Sequence, residues 1–221
     1  MPSRDIAAPS LRITEIFHSL QGESRSVGLP TVFIRLTGCP MRCVYCDTAY
    51  AFSGGEVLSV EHVVDRVKAY PAFHVTVTGG EPLAQPNCWF LLRELCDSGR
   101  RVSLETGGAV SIAEVDSRVS IVLDIKTPAS GELNRNHWPN IEILRRHDQV
   151  KFVICDRSDY DWARFKLDEL ALNSRVDEVL FSPSHNVLEP RELAEWILLD
   201  GLSVRMQLQM HKYLWGDQPG H

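Results

Sequence analysis

The hydrophobic positions of this chain change period repeatedly, from a helical spacing to short apolar runs. Val60, Val63, Val64 and Val67 recur at i, i+3, i+4 and i+7, which is the spacing of one face of an amphipathic helix. Residues 74–78, HVTVT, then form a short apolar run that ends at two glycines, as a buried strand does. The pattern therefore predicts a helix followed by a buried strand in this part of the chain.

The same alternation of helices and strands continues to the end of the chain. Ser59 and Asn87 are predicted N-caps of two helices, because short polar side chains accept hydrogen bonds from the first free N–H groups. Residues 129–140 are polar and predict a long loop. Further helices are predicted at residues 141–146, 159–172 and 191–199. Strands are predicted at residues 11–17, 32–36, 74–78, 102–105, 120–125, 150–155, 178–181 and 204–209.

The order of these elements predicts the fold class. Strands that alternate with helices at this spacing form a parallel sheet with right-handed crossover connections. About six strands follow the cysteine-rich loop at residues 39–46, too few to close an eight-stranded barrel. The predicted fold is therefore α/β, a partial β/α barrel that is open on one side. The carboxyl ends of its strands are expected to gather the functional residues at one rim.

Chain length and cysteine content narrow the classes of protein that fit. A chain of 221 residues buries one sizeable core, which predicts a single domain over residues 1–221. Residues 1–10, MPSRDIAAPS, contain no apolar signal segment and are expected to be flexible. Together with six cysteines, this predicts a reducing, cytoplasmic location.

Charge and hydropathy bear on the partners. No run approaches the roughly 20 apolar residues that a membrane span requires. The formal charge of −6 at pH 7 disfavours binding to phosphate backbones. A small-molecule substrate is therefore expected, rather than nucleic acid or a membrane.

Three cysteines, Cys39, Cys43 and Cys46, lie within eight residues, directly after a predicted strand. Three thiolates this close can hold one soft metal centre. A structural zinc ion would need a fourth protein ligand, and neither a nearby fourth cysteine nor a pair of histidines completes the set. The spacing C-x3-C-x2-C indicates a metal centre that is one protein ligand short, and a zinc knuckle or three buried thiols are the alternatives.

The other three cysteines have a different setting. Cys88, Cys96 and Cys155 are single, widely spaced and surrounded by apolar residues. A free cysteine in such a position behaves as a small hydrophobic side chain. We therefore interpret them as core residues rather than as ligands of a second cluster.

Several motifs carry a resemblance to a known family. With Tyr45 as its aromatic residue, the cysteine spacing resembles CxxxCx(aromatic)C, the signature of radical S-adenosylmethionine (SAM) enzymes. The resemblance implies that the cysteines bind three irons of a 4Fe–4S cluster and that SAM chelates the fourth iron. The runs SLQGE at residues 19–23 and FIRLTGCPMRCVYCDT at residues 33–48 resemble the 7-carboxy-7-deazaguanine synthases of this superfamily. QLQMHKYLWG at residues 207–216 resembles the terminal signature of the same family.

The resemblance implies a SAM site at the ends of several predicted strands. The run TGGEP at residues 78–82 resembles the family's motif for the SAM amino group, and its two glycines let the backbone approach a ligand closely. Glu105 is expected to accept hydrogen bonds from the ribose hydroxyls, and Lys126 to face the SAM carboxylate. A solvated position at the rim is the alternative for both side chains. The expected SAM contacts are Tyr45, Asp47, Gly79, Gly80, Glu81, Glu105, Lys126 and Ser182.

The resemblance also implies a site for a pterin substrate. Glu23 and the backbone of residues 20–22 are expected to bind the pyrimidine edge, whose N–H donors need an acceptor. Arg35 and a magnesium ion held by Thr48 are expected to bind the substrate carboxylate, and residues 211–221 to form a lid. An ion pair within the chain is the alternative for Arg35, and a simple turn position for Thr48. The expected substrate contacts are Leu20, Gln21, Gly22, Glu23, Arg35, Thr78 and His211.

The activity implied by the resemblance is that of a carbon–nitrogen lyase in the queuosine and deazapurine pathway. A SAM-derived radical would take hydrogen from carbon six of 6-carboxy-5,6,7,8-tetrahydropterin, after which ring contraction and ammonia loss give 7-carboxy-7-deazaguanine. A flavodoxin-like or other reductant is expected, and also a homodimer, since a second copy would cover the open side of the barrel. Two alternatives remain: a glycyl-radical activating enzyme with a peptide groove, and a non-catalytic zinc-binding interaction module.

Overall fold

A computed structural model describes residues 8–216, 218 and 220 of the chain. Its strands are β1 (Ser10–Leu20), β2 (Pro30–Leu36), β3 (Glu56–Ser59), β4 (His74–Gly79), β5 (Arg101–Thr106), β6 (Ser120–Ile125), β7 (Gln149–Ile154), β8 (Glu178–Pro183) and β9 (Arg205–Met206). Residues 1–7 of the predicted flexible segment lie outside the described residues, as do 217, 219 and 221 of the predicted lid. Ser10, the last residue of the predicted flexible segment, already belongs to β1.

The strands form one sheet, in the order β3-β1-β2-β4-β5-β6-β7-β8-β9. Neighbouring strands from β2 to β9 in this order are parallel, whereas β1 is antiparallel to both β2 and β3. β3 and β9 are opposite edges, so the sheet does not close. This confirms the predicted α/β partial barrel with an open side. The shared sheet also favours the prediction of a single domain.

The helices cover the outside of this sheet. Ser59 caps α1 by accepting a hydrogen bond from the N–H of His62, as predicted. Asn87 precedes α2 as predicted, but its side chain donates to the carbonyl of Ser10 instead of capping the helix. Within the described residues, no helix is long and apolar enough to cross a membrane. The helices are α1 (Val60–Lys68), α2 (Cys88–Asp97), α3 (Asn140–Ile143), α4 (Arg157–Glu169), α5 (Leu172–Arg175), α6 (Pro190–Asp200) and α7 (Met210–Trp215).

Several boundaries differ from the prediction. The helix predicted at residues 159–172 begins two residues earlier, because Asp156 caps it by accepting a hydrogen bond from the N–H of Asp159. It is divided into α4 and α5 by Ala171, which has a φ of 49°. The helix predicted at residues 141–146 shortens to α3, since Leu144 has an extended backbone. The predicted long loop at residues 129–140 is interrupted by single 3-10 turns.

The largest differences between the predicted and the observed strands are at the two edges of the sheet. The strand predicted at residues 204–209 shortens to β9, and the chain then turns into α7, for which the sequence pattern gives no prediction. The edge strand β3 is also an addition to the prediction. It has only four residues and a largely exposed pattern, so it lacks the apolar run by which strands are recognised.

Side chains of the parallel strands alternate between two faces. On β2, Val32, Ile34 and Leu36 are fully buried in the core under the helices, whereas Phe33 and Arg35 face the inside of the partial barrel. Strands of a parallel sheet usually carry apolar residues on both faces. Here the inner face also carries polar and charged side chains, which makes the inside of the barrel a site rather than a core. The inward residues on the next strands include Thr78, Glu105, Asp124 and Lys151.

Candidate active site

A cavity of about 380 Å³ lies inside the partial barrel, near the carboxyl ends of its parallel strands. The predicted metal ligands that line it are Cys39, Cys43, Cys46 and Thr48. The predicted SAM contacts that line it are Tyr45, Asp47, Gly79, Gly80, Glu105 and Lys126. The predicted substrate contacts all line it: Leu20, Gln21, Gly22, Glu23, Arg35, Thr78 and His211. Residues from both ends of the chain therefore meet in one space.

Two predicted SAM contacts do not line this cavity. The carboxylate of Glu81 is completely buried, and it accepts hydrogen bonds from the hydroxyl of Thr106 and from two backbone N–H groups. Ser182 is also buried, and its hydroxyl donates to the carbonyl of Gln207 at 2.6 Å. The polar groups of both side chains hold neighbouring strand ends together, and a contact of either residue with SAM stays a prediction.

The cysteine loop is fixed by groups other than its thiols. Arg42 donates to the carbonyl of Cys39 at 2.7 Å, and its guanidinium lies 4.2 Å from the ring centre of Phe52. The N–H of Val44 donates to the carbonyl of Ser130 at 3.1 Å, which ties the loop to the segment after β6. These contacts set the backbone of the loop and leave the thiols at the cavity surface.

Glycine allows the end of β4 to lie against this loop. A Cβ atom on Gly80 would lie 2.2 Å from the carbonyl oxygen of Gly38 and 2.7 Å from the Cβ of Cys39. Gly79 has a φ of +147°, and its Cβ would lie 2.3 Å from the carbonyl oxygen of Leu36. Any side chain here would separate β4 from the cysteines, so close backbone approach explains the glycine pair of TGGEP.

The three thiols border a common cavity and do not converge on one position. Cys39, Cys43 and Cys46 line one cavity, yet no three His, Cys, Asp or Glu side chains of the described residues converge closely enough to hold a single metal ion. Burial raises the pKa of the Cys39 and Cys43 thiols above the ordinary value. Metal binding would therefore release these protons, as it does at other thiolate sites. The donor set fits an iron–sulfur cluster better than one zinc ion.

Two buried polar atoms at the cavity have no hydrogen-bond partner among the residues that the structure describes. They are the hydroxyl of Tyr45 and Oδ1 of Asp124. The ammonium of Lys126 is near both residues, 3.1 Å from Oδ2 of Asp124 and 5.9 Å from the ring centre of Tyr45. Because buried polar atoms are rarely unpaired, these atoms suit a polar ligand. With the three thiols, this part of the cavity fits a 4Fe–4S cluster together with SAM.

A second group of charged side chains is centred on Glu23. Its carboxylate pairs with the ammonium of Lys151 and accepts a hydrogen bond of 2.7 Å from the amide of Gln209. Burial by itself would raise the pKa of Glu23. The charge and hydrogen bond of Lys151, the amide of Gln209 and the nearby His211 offset burial and lower the pKa to about 2. Glu23 is therefore ionised at neutral pH although its side chain is only 14% exposed.

Glu105 on β5 lies beside this group. Its two carboxylate oxygens accept hydrogen bonds of 3.2 Å from the amide of Gln21 and 3.0 Å from the hydroxyl of Thr78. Burial, and then the charge of Glu23, raise the pKa of Glu105. Gln21 and Thr78 are predicted substrate contacts. The position of Glu105 thus favours a contact with the substrate over the predicted contact with the SAM ribose.

Arg35 lines the cavity but already has a partner. Its Nε lies 2.7 Å from Oε1 of Glu15, which also accepts a hydrogen bond of 2.7 Å from the hydroxyl of Tyr50. The rings of Phe17 and Phe33 stack at 5.0 Å, and the guanidinium of Arg35 lies 5.7 Å from the ring centre of Phe17. The internal ion pair is the alternative considered for Arg35. Because this bond uses Nε, a second carboxylate can still approach the other edge of the guanidinium.

The C-terminal segment forms a wall of the cavity. The N–H of Met210 donates to the carbonyl of Gly22 at 3.0 Å, and a Cβ on Gly22 would lie 2.3 Å from Nδ1 of His211. Oδ2 of Asp47 lies 4.0 Å from Nε2 of His211 and 3.8 Å from Nζ of Lys212. Burial lowers the pKa of His211. The described part of the predicted lid is thus a packed helix, α7, in contact with the SLQGE turn.

Some residues of the cavity are not indicated by any motif. Lys151 on β7 and Asp124 on β6 are the clearest cases. Their signal in the sequence is a charged residue inside an apolar strand, since charged side chains are seldom buried without a functional or electrostatic partner. The other cavity residues that sequence analysis does not single out include Phe17, Phe33, Phe52, Thr106, Gly107, Gln209, Lys212 and residues 184–187.

Cys88, Cys96 and Cys155 are not among the described residues that line the cavity. Cys88 is fully buried in α2, and Cys96 of the same helix packs against the core while partly exposed. Burial raises the pKa of the Cys155 thiol to about 11, although a hydrogen bond with Ser184 acts in the opposite direction. The positions of Cys88 and Cys96 agree with the interpretation of these residues as packing side chains, whereas the Cys155 thiol bonds to Ser184, a residue of the cavity lining.

Proteins of similar sequence share one name. The profile of the Radical SAM superfamily matches residues 33–128. A 7-carboxy-7-deazaguanine synthase of Koribacter versatilis is 41% identical over 219 residues, covering 93% of this chain and 97% of the relative. A 7-carboxy-7-deazaguanine synthase of Chlorobaculum tepidum is 43% identical over 208 residues, covering 93% of this chain and 94% of the relative.

Solved structures agree on the fold. The crystal structure of QueE from Escherichia coli superposes with a TM-score of 0.70 at 23% identity, covering 91% of this chain and 95% of that one. A structure of TYW1 with a lysine-pyruvate adduct bound has a TM-score of 0.56 at 12% identity, covering 79% and 74%. Fold, cysteine motif and close relatives thus agree, and the chain belongs to the 7-carboxy-7-deazaguanine synthase family of radical SAM enzymes.

Proposed function

We propose that this enzyme converts 6-carboxy-5,6,7,8-tetrahydropterin into 7-carboxy-7-deazaguanine, as a carbon–nitrogen lyase of queuosine and deazapurine biosynthesis. One observation carries the proposal: the three cysteines of the radical SAM motif and the residues of the SLQGE turn line the same cavity. Its volume of about 380 Å³ is within the usual range of small-molecule sites. The shared name of the Koribacter and Chlorobaculum relatives supports the same product.

The protein is a radical SAM enzyme and uses a 4Fe–4S cluster and SAM. When bound, these cofactors supply the 5′-deoxyadenosyl radical that removes a hydrogen atom from the substrate. Cys39, Cys43 and Cys46 would hold the cluster through their thiolates. The chain itself orients the ligands and excludes competing reactions. The proposed SAM contacts are Tyr45, Asp47, Gly79, Gly80 and Lys126, supported by the close approach of β4 and by the unpaired Tyr45 hydroxyl.

The pyrimidine edge of the substrate would be bound by Glu23. This edge carries an amino group and a ring N–H, which together match the two oxygens of an ionised carboxylate. The lowered pKa of Glu23, to about 2, supports this role because it keeps the carboxylate an acceptor. The backbone of residues 20–22 would lie along the same edge. Thr78 and Glu105 would contact the substrate from β4 and β5, and His211 would close the cavity from α7.

The substrate carboxylate would be bound by Arg35. A guanidinium and a carboxylate meet as matching forks, which fixes both distance and orientation. The pair with Glu15 supports this arrangement, because it anchors the guanidinium by Nε beside the aromatic ring of Phe17.

A magnesium ion held by Thr48 is a further part of the proposal. The hydroxyl of Thr48 lines the cavity and lies 3.7 Å from the sulfur of Cys46. Magnesium in enzymes commonly keeps several waters and binds one or two protein groups together with substrate oxygens. The described residues contain no ready group of three His, Cys, Asp or Glu ligands. The substrate carboxylate would therefore be needed beside Thr48.

The proposal also includes the oligomeric state and the electron donor of the enzyme. An open sheet with edge strands β3 and β9 supports a homodimer. Light scattering would measure the mass of this dimer. The cysteine loop exposes Val44 by 75%, which supports electron delivery at this side by a flavodoxin-like protein in the cytoplasm. A cross-linking assay that fails to join such a donor to this loop would argue against that partner.

The glycyl-radical activating enzyme is the less supported alternative. It needs a groove for a peptide, whereas the cavity found here is lined by residues of the SLQGE turn and of α7. The names of the two relatives also favour the synthase.

The proposed activity predicts a defined product. Reconstituted enzyme with SAM, a reductant and 6-carboxytetrahydropterin should form 7-carboxy-7-deazaguanine, detected by liquid chromatography and mass spectrometry. SAM should be recovered rather than consumed. Reductive cleavage of SAM without consumption of the pterin would show that the substrate is wrong.

The cluster assignment predicts two classes of cysteine variants. Changing Cys39, Cys43 or Cys46 to Ala should remove most of the iron bound after reconstitution, and with it SAM cleavage, because the cluster loses a thiolate. Cys155→Ala is the matched control and should keep the iron, since Cys155 does not line the cavity. Loss of iron from a folded Cys155→Ala protein would mean that the ligands are misassigned.

The magnesium assignment predicts a loss of metal response. Thr48→Ala should weaken the stimulation of turnover by magnesium and leave SAM binding nearly unchanged, because only the metal loses a ligand. Thr48→Ser, which keeps the hydroxyl, is the control and should respond as the parent does. A magnesium titration of turnover in the three proteins decides the matter, and an unchanged response of Thr48→Ala would remove Thr48 from the site.

The assignment of Arg35 predicts a selective loss of affinity. A hydrogen bond to a charged group contributes about 1.5 to 3 kcal/mol, so Arg35→Ala should bind the carboxylated substrate roughly ten- to a hundredfold more weakly. Lysine keeps the charge without the fork and should restore only part of the affinity. Anaerobic calorimetry should compare the substrate with an analogue that lacks the carboxylate.

Glu15→Gln provides the control for Arg35. It removes the internal ion pair but keeps the guanidinium, so its affinity for the substrate should change far less. Equal losses of both ligands in Arg35→Ala would show that Arg35 holds the fold or SAM instead of the substrate carboxylate.

A further inference from the structure

Lys151 is a charged residue in the middle of a buried strand. All six residues of β7 are buried, and Lys151 is only 8% exposed, between Val150 and Phe152, which are both 0% exposed. Its ammonium reaches the cavity and pairs with Glu23, which precedes it by 128 residues. Burying a lysine is costly unless a carboxylate compensates it. Packing alone therefore does not explain a lysine here.

The carboxylate of Glu23 is held at both oxygens. Oε2 pairs with Lys151, and Oε1 accepts a hydrogen bond of 2.7 Å from the amide of Gln209. The backbone N–H of Glu23 donates to Oε1 of Gln21 at 3.1 Å, which fixes the residue from a third direction. Each carboxylate oxygen has two acceptor positions. Both oxygens can therefore accept one more hydrogen bond while their orientation stays fixed.

Other cations of the cavity have other partners. Lys126 lies 3.1 Å from Asp124, and Arg35 lies 2.7 Å from Glu15. Among the ion pairs of the described residues, the one formed by Glu23 is with Lys151. The orientation of Glu23 thus depends on Lys151 more than on any other described charge.

We propose that Lys151 is a positioning residue for substrate specificity: with Gln209, it orients the Glu23 carboxylate so that both oxygens accept the amino and ring N–H groups of the pyrimidine edge. This inference rests on the proposed function. An analogue with an oxygen in place of the amino group would place a hydrogen-bond acceptor against an oxygen of Glu23, which is also an acceptor and is fixed in position. A site built to accept hydrogen bonds rejects such a ligand, since one oxygen of each partner is left without a donor.

The test compares two ligands in matched variants of the reconstituted, SAM-bound enzyme. Anaerobic calorimetry would measure binding of 6-carboxytetrahydropterin and of its 2-oxo analogue. Lys151→Met keeps the length of the side chain but removes the charge. It should bind the pterin about tenfold or more weakly while the affinity for the analogue changes less than about twofold. Lys151→Arg should recover part of the discrimination, because it restores the charge.

Lys166→Met is the matched control. Lys166 lies on α4, pairs with Glu169 and does not line the cavity. Its variant should keep the affinities of the parent for both ligands. Equal weakening of both ligands in Lys151→Met, or discrimination equal to that of the parent, would overturn the inference.

A paired variant covers the case in which Lys151→Met does not fold. Removing only the lysine leaves Glu23 buried and unpaired, which is itself destabilising. Lys151→Met combined with Glu23→Gln removes both charges and should fold, with the discrimination between the ligands lost. Discrimination retained in this paired variant would overturn the inference.

Failure of the proposed function has a separate signature. If the parent enzyme converts the pterin but Lys151→Met discriminates between the two ligands as well as the parent does, only the proposed role of Lys151 is wrong. A parent enzyme that neither binds nor converts the pterin contradicts the proposed function, and this inference falls with it.

Discussion

A charge inside a protein must be compensated, and this constraint governs the inner face of the partial barrel. Glu23, Glu105 and Asp124 all face the cavity. Asp124 pairs with Lys126, and Glu23 pairs with Lys151. Desolvation of each charge is costly, whereas the ion pairs recover much of that cost only when their geometry is fixed. The interior charges therefore specify how loops and strands must meet.

The first β hairpin shows how this constraint shapes the whole site. The turn between β1 and β2 contacts β7 and the segment after β9. The N–H of Ser24 donates to the side chain of Gln207, and the amide of Gln207 donates back to the carbonyl of Ser24. The N–H of Arg25 donates to the side chain of Gln149 on β7. This turn thus links the first two strands of the chain to β7 and to the segment after β9 across the open barrel.

Structural features that depend on the spacing of nearby residues can be predicted from the sequence. The buried face of α1 follows from the positions of four valines, and the cysteine loop follows from the spacing of Cys39, Cys43 and Cys46. The glycines of TGGEP are also recognisable, because glycine at a strand end indicates close approach. These features involve residues within a few positions of each other, so a linear pattern contains them.

Features that depend on distant partners escape such analysis. Lys151 appears in the sequence as one charge within an apolar strand, and nothing local indicates Glu23 as its partner. Glu81 and Ser182 stand at strand ends as expected of SAM contacts. Their polar groups bond to neighbouring strands and turns, and only the tertiary structure reveals which strands are neighbours. The last strand is shorter than predicted and is followed by α7 for the same reason. The segment after β9 is hydrogen-bonded to the SLQGE turn, through Met210 and Gly22.

The bond between Ser24 and Gln207 has a consequence for the order of events during synthesis. These residues are 183 positions apart, so the turn that carries Glu23 cannot take its final place until nearly the whole chain has left the ribosome. The backbone hydrogen bonds of the cysteine loop, by contrast, reach no further along the chain than Ser130 and Glu132, in the segment after β6. Closing so long a loop is slow relative to local structure. The backbone partners of the cysteine loop are therefore synthesised well before the partners that fix the substrate end of the cavity.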